Sequence, residues 1–148
     1  MVSATQFWFH AFAGGLTIAL LSSSNALAID LNGRWVSELG TCSKVFVDDR
    51  SKPLFRKDSD LHGSGFIIQK GRIYGRTARC SIGKTRIADS VVHMIASCAT
   101  DIMLSSVQFS LRIMDENKVS RIFPGLEGME TTYHRCLPTD ERSASAPR

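Results

Sequence analysis

No Asp, Glu, Lys or Arg occurs in the first 28 of the 148 residues. Within that uncharged stretch Ala11 to Leu21 runs unbroken in apolar, Gly and Thr residues, followed by Ser22, Ser23 and Ser24 and then by Ala26-Leu27-Ala28. An apolar core ahead of small residues is the profile of a secretory signal peptide, and the expected cut lies between Ala28 and Ile29. The apolar run from Phe7 to Leu21 is 15 residues, short of the roughly 18 to 20 that cross a hydrocarbon core. The predicted division is therefore a signal peptide over 1–28, a single β domain over 29–137 and a flexible tail over 138–148. Location follows as periplasmic or secreted, with no membrane span after cleavage.

Cysteine spacing that would hold a metal is also missing. Cys42, Cys80, Cys98 and Cys136 contain no C-x-x-C, and their gaps of 38, 18 and 38 residues resemble no usual zinc-ligand spacing, so zinc coordination is not expected. An even set in an exported chain favours two disulfides, for which three pairings exist. With 43% apolar and 22% charged residues and a formal net charge of +4, the chain has enough apolar surface to offset its ordering entropy, which excludes wholesale disorder.

What remains is a series of short segments punctuated by Gly, Asp and Asn, without an amphipathic helix, and the pattern is all-β. Val107, Phe109, Leu111 and Ile113 alternate with Gln108, Ser110 and Arg112, the period of a half-buried antiparallel strand. A turn at Asp115-Glu116-Asn117 leads into a strand from Lys118 to Phe123. Gly65 to Gln69 turns at Lys70-Gly71 and returns from Arg72 to Arg79. Cys80 to Ile87 and Val91 to Cys98 fold back about Ala88-Asp89-Ser90, and symmetry about Asp89 sets Cys80 opposite Cys98. Further strands lie near Gly33 to Ser37 and near Glu130 to Cys136. Ser43 to Val47 is either a strand or a helical turn, and Arg50 to His62 reads as a loop. If the first and last strands meet, sheet edges disappear and a Cys42–Cys136 bridge staples the seam. The expected fold is a small antiparallel, closed or nearly closed β-barrel of about seven to eight strands with two disulfides.

Asn32-Gly33-Arg34-Trp35 resembles the G-x-W signature that opens the first strand of lipocalin-like, or calycin, barrels. In that family the Trp plugs one end of the barrel and a basic residue on the last strand stacks across it. The resemblance implies that role for Trp35 and Arg135, with Gly33 completing the signature. A T-D-Y type motif of the longer lipocalins is missing, and the chain is closer in size to small periplasmic barrels that act as inhibitors.

Acid is scarce in one further place: none occurs between Asp60 and Asp89, where Lys70, Arg72, Arg76, Arg79, Lys84 and Arg86 all fall. Arg72, Tyr74 and Arg76, joined by Lys84 and Arg86, form a candidate basic stripe able to attract carboxylates, phosphates or an acidic protein loop. A solvated outer sheet face explains the same charges. Catalytic candidates are thin. His62, His93 and His134 lie on separate segments, the paired acids Asp48-Asp49, Asp58 with Asp60 and Asp115-Glu116 read as turn acids, and Ser64 in His62-Gly63-Ser64-Gly65 lacks nucleophile-elbow spacing. No cofactor, metal or nucleic-acid partner is expected, nor an enzymatic activity. The expected function is an exported, inhibitor-like or adaptor-like binding module that contacts a protein or an anionic envelope component. The alternative is a calycin-type carrier of a small apolar ligand. The inward set Phe66, Ile68, Val107, Phe109, Leu111 and Ile113 is bulky, which favours a filled barrel over a hollow one.

Overall fold

The computed structural model describes residues 30–49, 51–126, 128–138 and 140. The predicted signal peptide and its cut lie outside the described residues, as does most of the predicted tail. Eight strands form an all-antiparallel meander that closes on itself. They are β1 (Gly33–Val36), β2 (Gly65–Gln69), β3 (Arg72–Tyr74), β4 (Arg79–Ala88), β5 (Val91–Ala99), β6 (Leu104–Asp115), β7 (Lys118–Ile122) and β8 (Glu130–Arg135). Closure comes from β1 against β8, where Trp35 faces Arg135 and Val36 faces His134. The barrel is compatible with a calycin-like architecture, and the pairing of β1 with β8 joins what would otherwise be two edge strands.

Side chains alternate across this wall as strand geometry requires, but two apolar clusters result instead of one. Inside lie Trp35, Phe66, Ile68, Phe109, Leu111 and Val119 among others. Outside, Val36 and Ile67 are covered by Cys42, Val45 and Phe46. The cover is the long β1–β2 connection, which contains a one-turn helix α1 (Cys42–Val45), a bridge pairing Phe46 with Phe55 and a 3-10 turn at Ser59–His62. Ser43 to Val47 thus resolves as that helical turn plus the bridge. Burial of both faces explains why β2 reads as a continuous apolar run, since Phe66, Ile67 and Ile68 are all buried. Gly65 is needed at its start, because a Cβ there would lie 3.0 Å from the Trp35 carbonyl oxygen and equally near Phe46 and Val45 side chains.

Both disulfides join the expected partners, Cys42 to Cys136 and Cys80 to Cys98, with Cα separations of 5.8 and 3.9 Å. Cys42–Cys136 ties α1 to the end of β8 over the outside of the seam and spans 94 residues, which in the loop-entropy model removes on the order of 4 kcal/mol of unfolded-state freedom. The second bridge arises differently from the symmetric turn expected of the sequence. Ala88 pairs directly with Val91 across a two-residue turn, Asp89-Ser90. That register alone would carry Cys80 past Cys98, but it shifts between Ile82 and Lys84 and restores the Cys80–Cys98 pair. The bulge at Gly83 therefore aligns the cysteines. The strand expected from Arg72 to Arg79 is also corrected: β3 ends at Tyr74, and Gly75 donates its N–H to the Ala78 carbonyl in a tight connection of 2.8 Å.

Candidate functional site: a sealed end and an open end

One end of the barrel is closed from the sequence outward. Trp35 is fully buried, and its indole N–H donates to the Leu31 carbonyl at 3.1 Å. Arg135 lies across it, its guanidinium carbon 4.4 Å from the ring, a favourable cation–π placement. The same guanidinium donates to the backbone carbonyls of Asp30, Asn32 and Glu116 at 2.5–2.9 Å, binding the strand entry to the β6–β7 turn. Gly33 has φ +149°, and a Cβ at that position would stand 3.0 Å from Arg135 Nη1. Gly33, Trp35 and Arg135 thus meet at this end of the barrel. The turns at this end are short and polar, namely Lys70-Gly71, Asp89-Ser90 and Glu116-Asn117.

The opposite end holds a cavity of about 360 Å³ inside the barrel wall. Phe66 lies on its inner side, stacked 6.2 Å from Trp35 and packed edge-on against Phe109 and Tyr133 at 5.3 and 4.8 Å. Ile73, Ala96, Val107 and the Cys80–Cys98 bridge line the walls, and Ser64, Thr100 and Ser105 stand near the rim. The bulky inward residues are correctly placed, yet the filled barrel expected from them holds only for the sealed half. Small side chains at Ala78, Ala96 and Ser105 leave the other half hollow. The connections leaving this end also carry exposed apolar side chains, including Leu39, Leu61, Ile102, Leu126 and Met129, as does the start of β6 at Leu104, with Ile102 92% and Leu104 85% exposed.

Polar groups in the cavity are few. Tyr133, itself buried, places its hydroxyl 3.0 Å from Ser64 Oγ. Arg121 is the single charged residue of the lining. It faces inward because β7 sets it opposite Leu111, which is wholly buried. Its guanidinium lies 4.4 Å from the Phe109 ring and 4.8 Å from the Phe123 ring. Sequence reasoning passed over Arg121, although its parity with Val119 on β7 marks it as an arginine on the inner face.

The basic stripe is partly assembled. Arg72 opposes Ser81, Lys84 opposes Ile95 and Arg86 opposes His93, all on the outer face of β3–β5, and Arg79 opposes Tyr74 there too. Tyr74 packs partly against the outer apolar cluster. Arg76 does not join them: it lies beyond the end of β3, pairs with Asp60 at 2.8 Å and donates to the Lys57 carbonyl at 3.0 Å, which ties the β1–β2 connection to the β3–β4 turn.

Other candidates take local roles. His93 Nδ1 lies 2.9 Å from Ser110 Oγ, but Ser110 is fully buried and not open to a substrate. Asp49 is held below the usual carboxylate range by the Ser51 hydroxyl and N–H, and Glu130 by the Ser120 hydroxyl and then by Arg112. These are turn and wall contacts on the outer surface. No group of three metal-binding side chains occurs among the described residues.

The class defined by this geometry is a closed, eight-stranded antiparallel barrel with one sealed end and one hollow end. No family model matches the chain, and no characterised sequence or solved structure matches it either.

Proposed function

We propose that the protein is a carrier that takes a small apolar ligand into the hollow half of its barrel. The observation that carries this is the cavity itself. Its volume of about 360 Å³ falls in the range of small-molecule sites, about 300–1,000 Å³, and it has their usual makeup of apolar and aromatic walls with a few convergent polar groups. The likeness of Gly33, Trp35 and Arg135 to the lipocalin-like signature supports the same reading, because that arrangement closes one end and leaves the other for a ligand. Two disulfides suit an oxidising compartment, in keeping with an exported protein released by cleavage near Ala28.

Titration of the disulfide-intact protein with the neutral fluorescent probe N-phenyl-1-naphthylamine tests the proposal. Enhanced, saturable fluorescence is expected, and Val107→Phe, which fills the cavity, is expected to weaken it at least tenfold. Absence of binding to the unaltered protein would contradict the carrier reading. A second reading, contact with an anionic envelope component or an acidic protein surface, is favoured by the exposed row Arg72, Arg79, Lys84 and Arg86 on one outer face. Retention on a heparin column that falls with Arg72→Ala and Arg86→Ala is its expected mark; retention unchanged by both would oppose it.

A further inference from the structure

We infer that the ligand of the hollow end is an amphiphile with a single short tail and an anionic headgroup, seated tail-inward with the headgroup against Arg121. The inference rests on the carrier reading and names the class of ligand within it.

Arg121 is an unusual residue for an inner barrel face. A guanidinium half-withdrawn from water against an apolar lumen loses part of its hydration, a cost that a partner offsets. Two aromatic faces supply part of it through Phe109 and Phe123. Among the described residues no carboxylate lies within ion-pairing distance of Arg121, and none belongs to the cavity lining. Glu130, which opens β8 opposite Ile122, is committed on the outer face, where Arg112 and the Ser120 hydroxyl both bond it. Arg121, half-buried in the cavity lining, therefore has no carboxylate partner among the described residues, and its planar fork of five N–H donors is suited to a carboxylate or phosphate.

Position fixes the orientation of such a ligand. Arg121 is the next-to-last residue of β7 and lies toward the open end, whereas Phe66 reaches back to Trp35 at the sealed end. An apolar tail fits between Phe66, Ile73, Ala96 and Phe109. The headgroup then rests near the rim, half in water, beside Arg121 and the Ser64–Tyr133 hydroxyl pair. The modest cavity volume restricts the tail to one short chain.

Isothermal titration of the disulfide-intact protein with decanoate, decyl phosphate and decanol, each below its aggregation concentration, tests this directly. The unaltered protein is expected to bind at least one of the two anions about ten- to a hundredfold tighter than decanol, the span of charge-assisted hydrogen bonds. Arg121→Gln is expected to bring the anion-to-alcohol ratio to about one, and Arg121→Lys to retain part of it, which separates loss of charge from loss of fold. Equal affinity for all three probes, or a preference that survives Arg121→Gln, would overturn the headgroup assignment while leaving the carrier reading standing. Failure to bind decanol as well as both anions would overturn the carrier reading itself.

Discussion

At one end of the barrel Trp35 fills the lumen and Arg135 joins three backbone carbonyls across it; at the other, Ala78, Ala96 and Ser105 surround empty space. Both ends are built from the same strands under the same alternation, so strand geometry is not what separates them. Side-chain volume is. Near the sealed end the inward positions carry Trp35, Met94, Leu111 and Val119, all almost fully buried, and near the open end the inward positions of β4, β5 and β6 shrink to Cys80, Ala96, Cys98 and Ser105. The connections follow suit, with two-residue polar turns at the sealed end and longer connections bearing exposed apolar side chains at the open one.

The largest effect should come from breaking the seal. Trp35→Ala is expected to destabilise by about 3–5 kcal/mol, as truncation of a buried aromatic does, measured by urea unfolding; Val107→Ala, at the border of the cavity, should cost no more than about 1 kcal/mol. A loss of similar size at both positions would erase the distinction between the ends. Arg135→Met should lower stability by about 2 kcal/mol, since it removes charge-assisted hydrogen bonds to three carbonyls, and should leave the open end intact.

Overpacking sharpens the contrast within one strand. Leu111→Phe inserts volume where none is free and should cost about 1–3 kcal/mol, whereas Val107→Phe, four residues away on the same inner face, should change stability by no more than about 0.5 kcal/mol while weakening probe binding at least tenfold. Smallest is a pH effect at the rim. Glu130 has a lowered pKa in the folded protein through Ser120 and Arg112, so its contribution is complete above the ordinary Glu value of about 4.3 and is lost as pH falls through the lowered folded value. Thermal unfolding of Glu130→Gln should therefore match the parent more closely at pH 3 than at pH 6.

Much of the wall was legible in the sequence because alternation is a local signal. Val107 to Ile113 identified β6 and its inner face, and the turn residues near Asp89 and Asn117 located two hairpins. Seam closure followed from the termini of the domain and gave the Cys42–Cys136 bridge. The outer apolar cluster was less visible, since Phe46 and Phe55 belong to a connection without period and owe their burial to Val36 and Ile67 on the far side of the sheet. The Gly83 bulge was hidden because a one-residue shift leaves the composition of β4 unchanged.

The cavity was missed for a related reason. Large inward residues stand out in an alternating pattern, but the cavity volume depends equally on the small ones opposite them. Arg121 carried a signal in its parity with Val119, yet arginine on a short strand is ordinarily assigned to solvent.

Amide chemical-shift mapping during titration with decanol tests the difference between the ends most directly. The account predicts progressive shifts at Phe66, Ala96, Val107 and Tyr133, with Leu31, Asn32 and Glu116 at the sealed end unchanged. Shifts confined to the outer faces, or spread equally over both ends, would contradict it.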